Sequence, residues 1–423
     1  MIAQELQYKG KRHSAAHTSE YLFNQLIPYI GNKRKLLGLI QKAIRRTPCS
    51  QGTFVDFFAG SGVVSRMAKM LGFRVISNDW EPYAEAINRC YISCNTPPMF
   101  TSLGGYEQAM DYLNSLPPKV DWITEHLCPR DDEHFDIRRD RMFYMRKNGM
   151  RIDAIRSQIA EWKAGRIDDT DEACLLAPLV YQACYRSNTS GVFKGFHNGW
   201  GGQTKTALYR IATDLRLEPP VFFDNGQENL VFREDAQVLA KRLSSQAVEI
   251  AYLDPPYNQH PYGSNYHVLN SVVLWDKPAL SKQITRGTKS AIRLDWRTER
   301  RSAYNYKEEA SKAYRQLLET INAHYILTSY STDGAIPLED MLKSCVTRGR
   351  VSVVMQGYKR YRVSSQRFSE KPMNVEFILI VDTQRKSDSS VEQLANNIRS
   401  HEAVVLDSHP ECRESDDRQM NLF

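Results

Sequence analysis

Two short stretches carry residue types whose spacing could do chemistry. "DPPY", residues 254–257, closes an apolar β-prone run, so two consecutive prolines stiffen the backbone just past a strand and hold Asp254 and Tyr257 in a fixed relation. Acceptors held this rigidly need no reorganisation at the moment of reaction. The Asp254 carboxylate and the Pro255 carbonyl can accept the two N–H bonds of an exocyclic amine, whose lone pair is otherwise delocalised into a nucleobase ring. That draws the nitrogen toward tetrahedral geometry and aims its lone pair at an electrophile. With Pro256 completing the stiff turn, the Tyr257 ring can stack on the face of the base. A base reaches such a pocket only by leaving a duplex. The plain alternative is a proline turn ending a buried strand.

The second stretch, "FFAGSG" at 57–62, is a glycine turn that lets backbone N–H groups and a helix N-terminus approach a ligand. Its spacing differs from G-x-G-x-x-G and it lacks the P-loop lysine, so neither NAD nor ATP is favoured. Alone it is equally compatible with a tight strand-to-helix connection that holds nothing. Asp79 follows the glycines by about 20 residues, the separation expected of a ribose-binding acid in a doubly wound sheet.

The elements that must position these residues read as alternating β and α. "GTFVDFF" is a short strand, "VVSRMAKML" a helix with Val64, Met67, Ala68 and Leu71 near helical spacing, and "FRVISND" a second strand. Later, "AVEIAYLD" runs straight into the DPPY loop, and "AHYILTSYS", "RVSVVMQ" and "VEFILIVD" supply further strands of a mainly parallel sheet with both faces covered. Between Asp79 and Asp254 the pattern changes. Ile152, Ile155, Ile159 and Trp162 share one helical face, and "DEACLLAPLVYQACYR" predicts a second helix, so this region is a helical insertion. The Gly- and Asn-rich "SNTSGVFKGFHNGWGGQTKTALYR", with interleaved aromatic and basic residues, predicts a long functional or disordered loop. From Thr383 onward the chain turns polar and predicts a weakly ordered tail.

At 423 residues with 42% hydrophobic and 25% charged, the chain is long enough for one large α/β domain and a second module. The net charge of +7 favours a polyanionic partner. No apolar run approaches about 18 residues and the polar, basic N-terminus has no signal-peptide core, so a cytoplasmic protein with no membrane partner is expected. The eight cysteines spell neither a CxxC pair nor a zinc ribbon and read as reduced, packed thiols. His13 and His17 sit in a small-residue tail with no acid nearby, and the Pro48-Cys49 dipeptide precedes the glycine turn. Both read as incidental.

The ordered set "YIGNKRKL" (29–36), "DFFAGSG" (56–62), "ND" (78–79), "DPPYNQHPYGSNYH" (254–267) and "YKRYR" (358–362) resembles the alpha-group, Dam-like adenine-N6 DNA methyltransferases, over roughly residues 26–381. The resemblance implies an α/β fold: a Rossmann-like S-adenosylmethionine-dependent methyltransferase sheet ending in a hairpin strand, with an inserted, mainly helical target recognition domain. Residues 26–100 and 230–382 would form the catalytic domain, 101–229 the insertion, 1–25 a basic tail and 383–423 a polar one. It further implies S-adenosylmethionine as cofactor and no metal. Tyr29, Lys33, Phe58, Gly60, Ser61 and Gly62 would hold the cofactor, Asp56 its methionine amino group, Asp79 its ribose and Asp235 its adenine, with Glu234 an equal candidate. Asp254 to Tyr257 would take the target adenine, with Asp254 also among the cofactor residues.

Methyl transfer would then run directly to N6 of a flipped adenine in double-stranded DNA, by a monomer, in a solitary role or beside a separately acting restriction endonuclease. Arg186, Lys194 and Lys205 would contact phosphates or guanines and Asn188 an adenine. The alternatives are a ribosomal-RNA adenine methyltransferase, disfavoured by "YIGNKRKL" and the large insertion, and an inactive DNA-binding scaffold, disfavoured by the intact Asp254 and Tyr257. Transfer to cytosine N4 usually brings serine where Asp254 stands.

Overall fold

A computed structural model of the chain describes residues 15–281, 284, 289–359 and 373–408. His13 and residues 360–362 of the late basic motif lie outside them. Seven strands form: β1 (Thr53–Asp56), β2 (Arg74–Asn78), β3 (Leu230–Phe232), β4 (Val248–Leu253), β5 (Ala323–Ser331), β6 (Arg350–Lys359) and β7 (Met373–Asp382). Their order in the sheet is β3-β2-β1-β4-β5-β7-β6. β1 with β4, β4 with β5, and β2 with β3 pair in parallel, whereas β7 runs antiparallel to both β5 and β6. This is the mostly parallel α/β sheet that the strand pattern predicts, with the terminal hairpin that the resemblance implies. β3 is a strand the sequence reading did not identify, being only three residues long.

Successive strands run outward from β1 toward β3 on one side and from β4 on the other, so the winding reverses between β1 and β4. In open α/β sheets ligands bind outside the carboxyl ends of the strands at such a reversal. Asp56, the last residue of β1, stands opposite Tyr252 of β4, and Phe57 N–H donates to Tyr252 O at 3.1 Å. The DPPY loop therefore leaves the sheet beside the end of β1.

The chain divides into two compact units. One comprises Met1–Arg34, Ala59–Asp235 and His260–Arg301, and the other Lys35–Phe58, Ala236–Gln259 and Ser302–Phe423. The first holds the glycine turn, β2, β3 and the whole stretch 101–229, where helices Arg146–Lys163 and Asp169–Tyr185 form as their apolar spacing predicts. Asp168 caps the second of these, accepting from the N–H groups of Thr170 and Asp171 at 2.8 Å each. The second unit holds β1 and β4 to β7, with β4 and β7 almost wholly buried, as expected of strands covered on both faces.

Both expected tails are partly structured. Residues Ala15–Phe23 form a helix in which Tyr21 and Leu22 are buried, and the Tyr21 hydroxyl donates to Tyr91 O at 2.7 Å. Val391–Ser408 is an 18-residue helix with Leu394, Ala395 and Ile398 buried. Three apolar residues among many polar ones suffice there because they fall on one helical face, a pattern the overall polarity of the segment conceals. Among the described residues seven cysteines are free thiols, six of them buried. Cys49 is one of these thiols and burial pushes its pKa up, the opposite of what an attacking thiolate needs.

Candidate active site

In the first unit, the turn after β1 is built on two left-handed glycines. Gly60 has φ +50° and Gly62, which precedes helix Val63–Met70, has φ +78°. Asp79, at the end of β2, organises this turn: its Oδ2 accepts Gly60 N–H at 2.8 Å and its Oδ1 accepts Glu81 N–H at 2.9 Å. Ala59 N–H also bonds Asn78 O at 2.8 Å. Burial raises the Asp79 pKa, and the N–H groups of Glu81, Gly60 and Trp80 oppose that rise by stabilising the anion. Three backbone donors do not exhaust the roughly four lone-pair sites of a carboxylate, so acceptor capacity remains.

The Tyr29 ring lies against the turn, close enough that a Cβ on Gly60 would stand 2.8 Å from its Cε1. Ser61 and Lys33 are buried. At the end of β3, the Asn78 amide grips Glu234 from both sides, donating to its carbonyl and accepting its N–H at 3.1 Å each. Glu234 and Asp235 are therefore both delivered, half-buried, from one fixed peptide beside the end of β2. The structure thus assembles Tyr29, Gly60, Ser61, Gly62 and Asp79 around a single turn.

In the second unit, Asp56 is buried at the end of β1, and Phe58 meets the Tyr304 ring edge-on at 5.3 Å. Asp254 and Tyr257 are half-buried and Pro255 is buried. The Tyr257 hydroxyl donates to Glu376 Oε2 of β7 at 3.3 Å, its ring packs on Tyr330 at 4.6 Å, and its carbonyl accepts Ala335 N–H at 2.9 Å. Burial, then the charges of Asp254 and Glu376, push the Tyr257 phenol well above its ordinary pKa, so it is a neutral donor. Next along the loop, Asn258 O accepts the Asn305 amide at 2.8 Å. The DPPY loop is thereby anchored at ring, hydroxyl and backbone. Glu376 and Tyr330 were invisible as site residues in the sequence, since each sits in an ordinary strand pattern.

The basic, aromatic loop after residue 185 is ordered by its own polar groups. Asn188, expected to bond adenine, is fully buried. Its amide donates to Met142 O at 3.1 Å and His197 O at 3.2 Å, and its Oδ1 accepts Gly201 N–H at 3.1 Å. Every polar atom of that side chain serves the loop, so the structure corrects the base-reading assignment: Asn188 shapes the loop. Arg186 is half-buried and donates to Arg210 O at 3.0 Å. Lys194 lies 3.4 Å from His260 Nδ1, and Lys205 is exposed.

His267 anchors this loop from beneath. It is buried, with Nε2 2.8 Å from Phe193 O, and that contact requires the proton on Nε2. Burial lowers its pKa to about 4. Because the unfolded histidine takes its proton near pH 6.5, this site adds stability that is complete above pH 6.5 and lost as pH falls toward 4, at up to about 1.4 kcal/mol per pH unit. In urea titrations across that range, His267→Gln is expected to have a flatter stability profile than the parent chain. Parallel profiles would mean that another group titrates.

Among the described residues no helix is long and apolar enough to cross a membrane, and no cluster of three or more His, Cys, Asp or Glu side chains could hold a metal ion. Residues 29–331 match the family model for D12 class N6 adenine-specific DNA methyltransferases. The chain is 32% identical to the type II methyltransferase M.NlaIII of Neisseria lactamica, over 79% of this chain and 92% of that protein. It is 29% identical to the type II methyltransferase M.CviAII of Paramecium bursaria Chlorella virus 1, over 79% and 93%. With the modification methylase StsI of Streptococcus sanguinis it shares 31% identity over 88% of this chain, but spans only 54% of that longer protein.

Proposed function

The chain belongs to the D12 class N6 adenine-specific DNA methyltransferase family, and from that premise we propose that it methylates one short sequence in double-stranded DNA as the modification half of a restriction-modification pair. The observation that carries this reading is the DPPY loop at the end of β4, fixed through Tyr257 by Glu376, Tyr330 and Ala335. In this arrangement Asp254 and the Pro255 carbonyl accept the two N–H bonds of the adenine amine, and Tyr257 stacks on the extruded base. Its place beside the end of β1 is where an open sheet binds ligands.

The donor set fits S-adenosylmethionine. Asp79 offers carboxylate oxygens suited to ribose hydroxyls, the turn at Gly60 to Gly62 offers backbone close to a ligand, and Tyr29 offers a ring face. Lys33 and either Glu234 or Asp235 would complete the set in this unit, and in the second unit Asp56 and Phe58 are further cofactor candidates. When bound, the cofactor supplies an electrophilic methyl group; the chain's task is to hold the amine with its lone pair free. For DNA, Lys194 beside His260, with Lys205, offers cations for backbone phosphates, and residues 101–229 would carry target recognition. Relatives named as modification methylases support the restriction-modification role. The RNA alternative draws no support from a family defined by DNA.

Single-molecule mapping of N6-methyladenine in DNA from cells expressing the chain tests this. Near-complete methylation of one short motif, absent without the gene, is the expected result. Unmodified DNA with newly methylated ribosomal RNA would overturn it.

A further inference from the structure

We propose that Tyr262 and Tyr266 are positioning residues for cofactor binding, fixing Tyr29 and its neighbouring peptide against the glycine turn. The proposal rests on the reading of Tyr29 as a cofactor residue.

Four observations converge within the first unit. The Tyr29 ring is stacked on Tyr262 at 5.0 Å with an interplanar angle of 8°, and on Tyr266 at 5.0 Å and 16°. The next residue is gripped through both of its peptide groups, since Ile30 N–H donates to the Tyr266 hydroxyl at 2.8 Å and the Tyr262 hydroxyl donates to Ile30 O at 3.2 Å. Tyr83, in helix Pro82–Asn88, bonds the Tyr29 hydroxyl at 3.2 Å. The Tyr29 ring also meets Gly60, whose N–H is held by Asp79.

Three of these contacts are more than apolar packing needs. Ile30 is itself exposed, so the two hydroxyl bonds do not serve to bury its side chain. They fix the direction in which the chain passes Tyr29. Tyr266 is fully buried at the junction of the short helices Tyr262–Asn265 and His267–Leu274, which makes it a rigid post rather than a mobile lid. A tyrosine has few rotatable bonds, and aromatic stacking at this spacing favours offset geometry over free rotation. Cofactor affinity therefore depends on residues that need not touch the cofactor, because a preformed site spares the cost of ordering it on binding.

The test is cofactor titration and steady-state kinetics on the full chain with Tyr262→Phe, Tyr266→Phe and the double variant, which keep the rings and remove the hydroxyls. The double variant is expected to raise both Kd and KM for S-adenosylmethionine by roughly 5- to 30-fold, as loss of two hydrogen bonds implies. Turnover at saturating cofactor should change less than about twofold, since the DPPY acceptors are intact. Tyr29→Ala is the reference: it should weaken cofactor binding, and adding the two Phe substitutions to it should cause little further loss. Weak binding by Tyr29→Ala with unaltered binding by the double Phe variant would overturn the proposal while leaving the cofactor reading in place. Normal binding by Tyr29→Ala would overturn both. A double variant that loses turnover and stability at unchanged Kd would show a purely structural role and likewise overturn it.

Discussion

Asp254→Ala is expected to lower methyl transfer by roughly 10²- to 10⁴-fold while cofactor and DNA binding persist, the range seen when one positioned acceptor or donor is removed from a reacting centre. The amine of adenine offers two N–H bonds, and without the carboxylate one of them faces an apolar methyl. Its lone pair then stays conjugated with the ring, and nothing else in the loop replaces the lost acceptor. The Pro255 carbonyl is a backbone atom and survives the substitution. Asp254→Asn should lie between parent and Ala, because the amide oxygen can still accept when its NH₂ group turns away. Single-turnover assays with labelled cofactor would separate the chemical step from product release. A variant with parental single-turnover rates would remove Asp254 from the mechanism, and one that no longer binds DNA would make it a contact rather than an acceptor.

That prediction was available from four letters of sequence, and the reason is physical. A proline pair after a β-prone run fixes geometry locally, so the motif means nearly the same thing before and after folding. The glycine turn, Asp79 and the helix Val63–Met70 were legible for the same reason, since each depends on neighbours in sequence. Residues that act across the fold were not legible. Glu376 reads as one polar residue in an apolar strand, yet it holds the Tyr257 hydroxyl. Arg66 and Lys69 stand among the apolar positions of the helix Val63–Met70, and the structure buries both. Lys69 donates to the carbonyls of Tyr91, Ile92 and Cys94 at 3.2, 2.9 and 2.7 Å, and Arg66 to those of Tyr21 and Asn24 at 3.2 and 2.7 Å. Burial lowers the Lys69 pKa to about 7, against the opposing pull of the Cys94, Cys90 and Asp224 groups. A pattern of apolar spacing has no means of showing that a cation will find carbonyls from a distant segment. Asn188 failed in the opposite sense: a residue type suited to reading adenine was instead consumed by its own loop.

Gly62→Ala should cost about 2–4 kcal/mol of stability and weaken cofactor binding with it. Two terms contribute. A non-glycine residue held at φ +78° carries roughly 1–2 kcal/mol of backbone strain. The added Cβ would also stand 2.4 Å from Asn88 Oδ1, so Asn88 must move. That side chain is buried and fully engaged, donating to Gly60 O at 3.2 Å and Ala84 O at 2.8 Å and meeting the Ser77 hydroxyl at 3.1 Å. Displacing it loses hydrogen bonds worth about 1 kcal/mol each and frees Gly60, on which the turn and the Asp79 contact depend. The two terms can be separated by urea unfolding in a second background. In Asn88→Ala the Cβ of residue 62 meets no amide, so the same Gly62→Ala change should cost only the backbone strain, roughly half as much. An equal cost in both backgrounds would assign the whole effect to the left-handed backbone. No cost in either would mean that the turn can relax to accept a side chain, and that its two glycines are there for the ligand rather than for the fold.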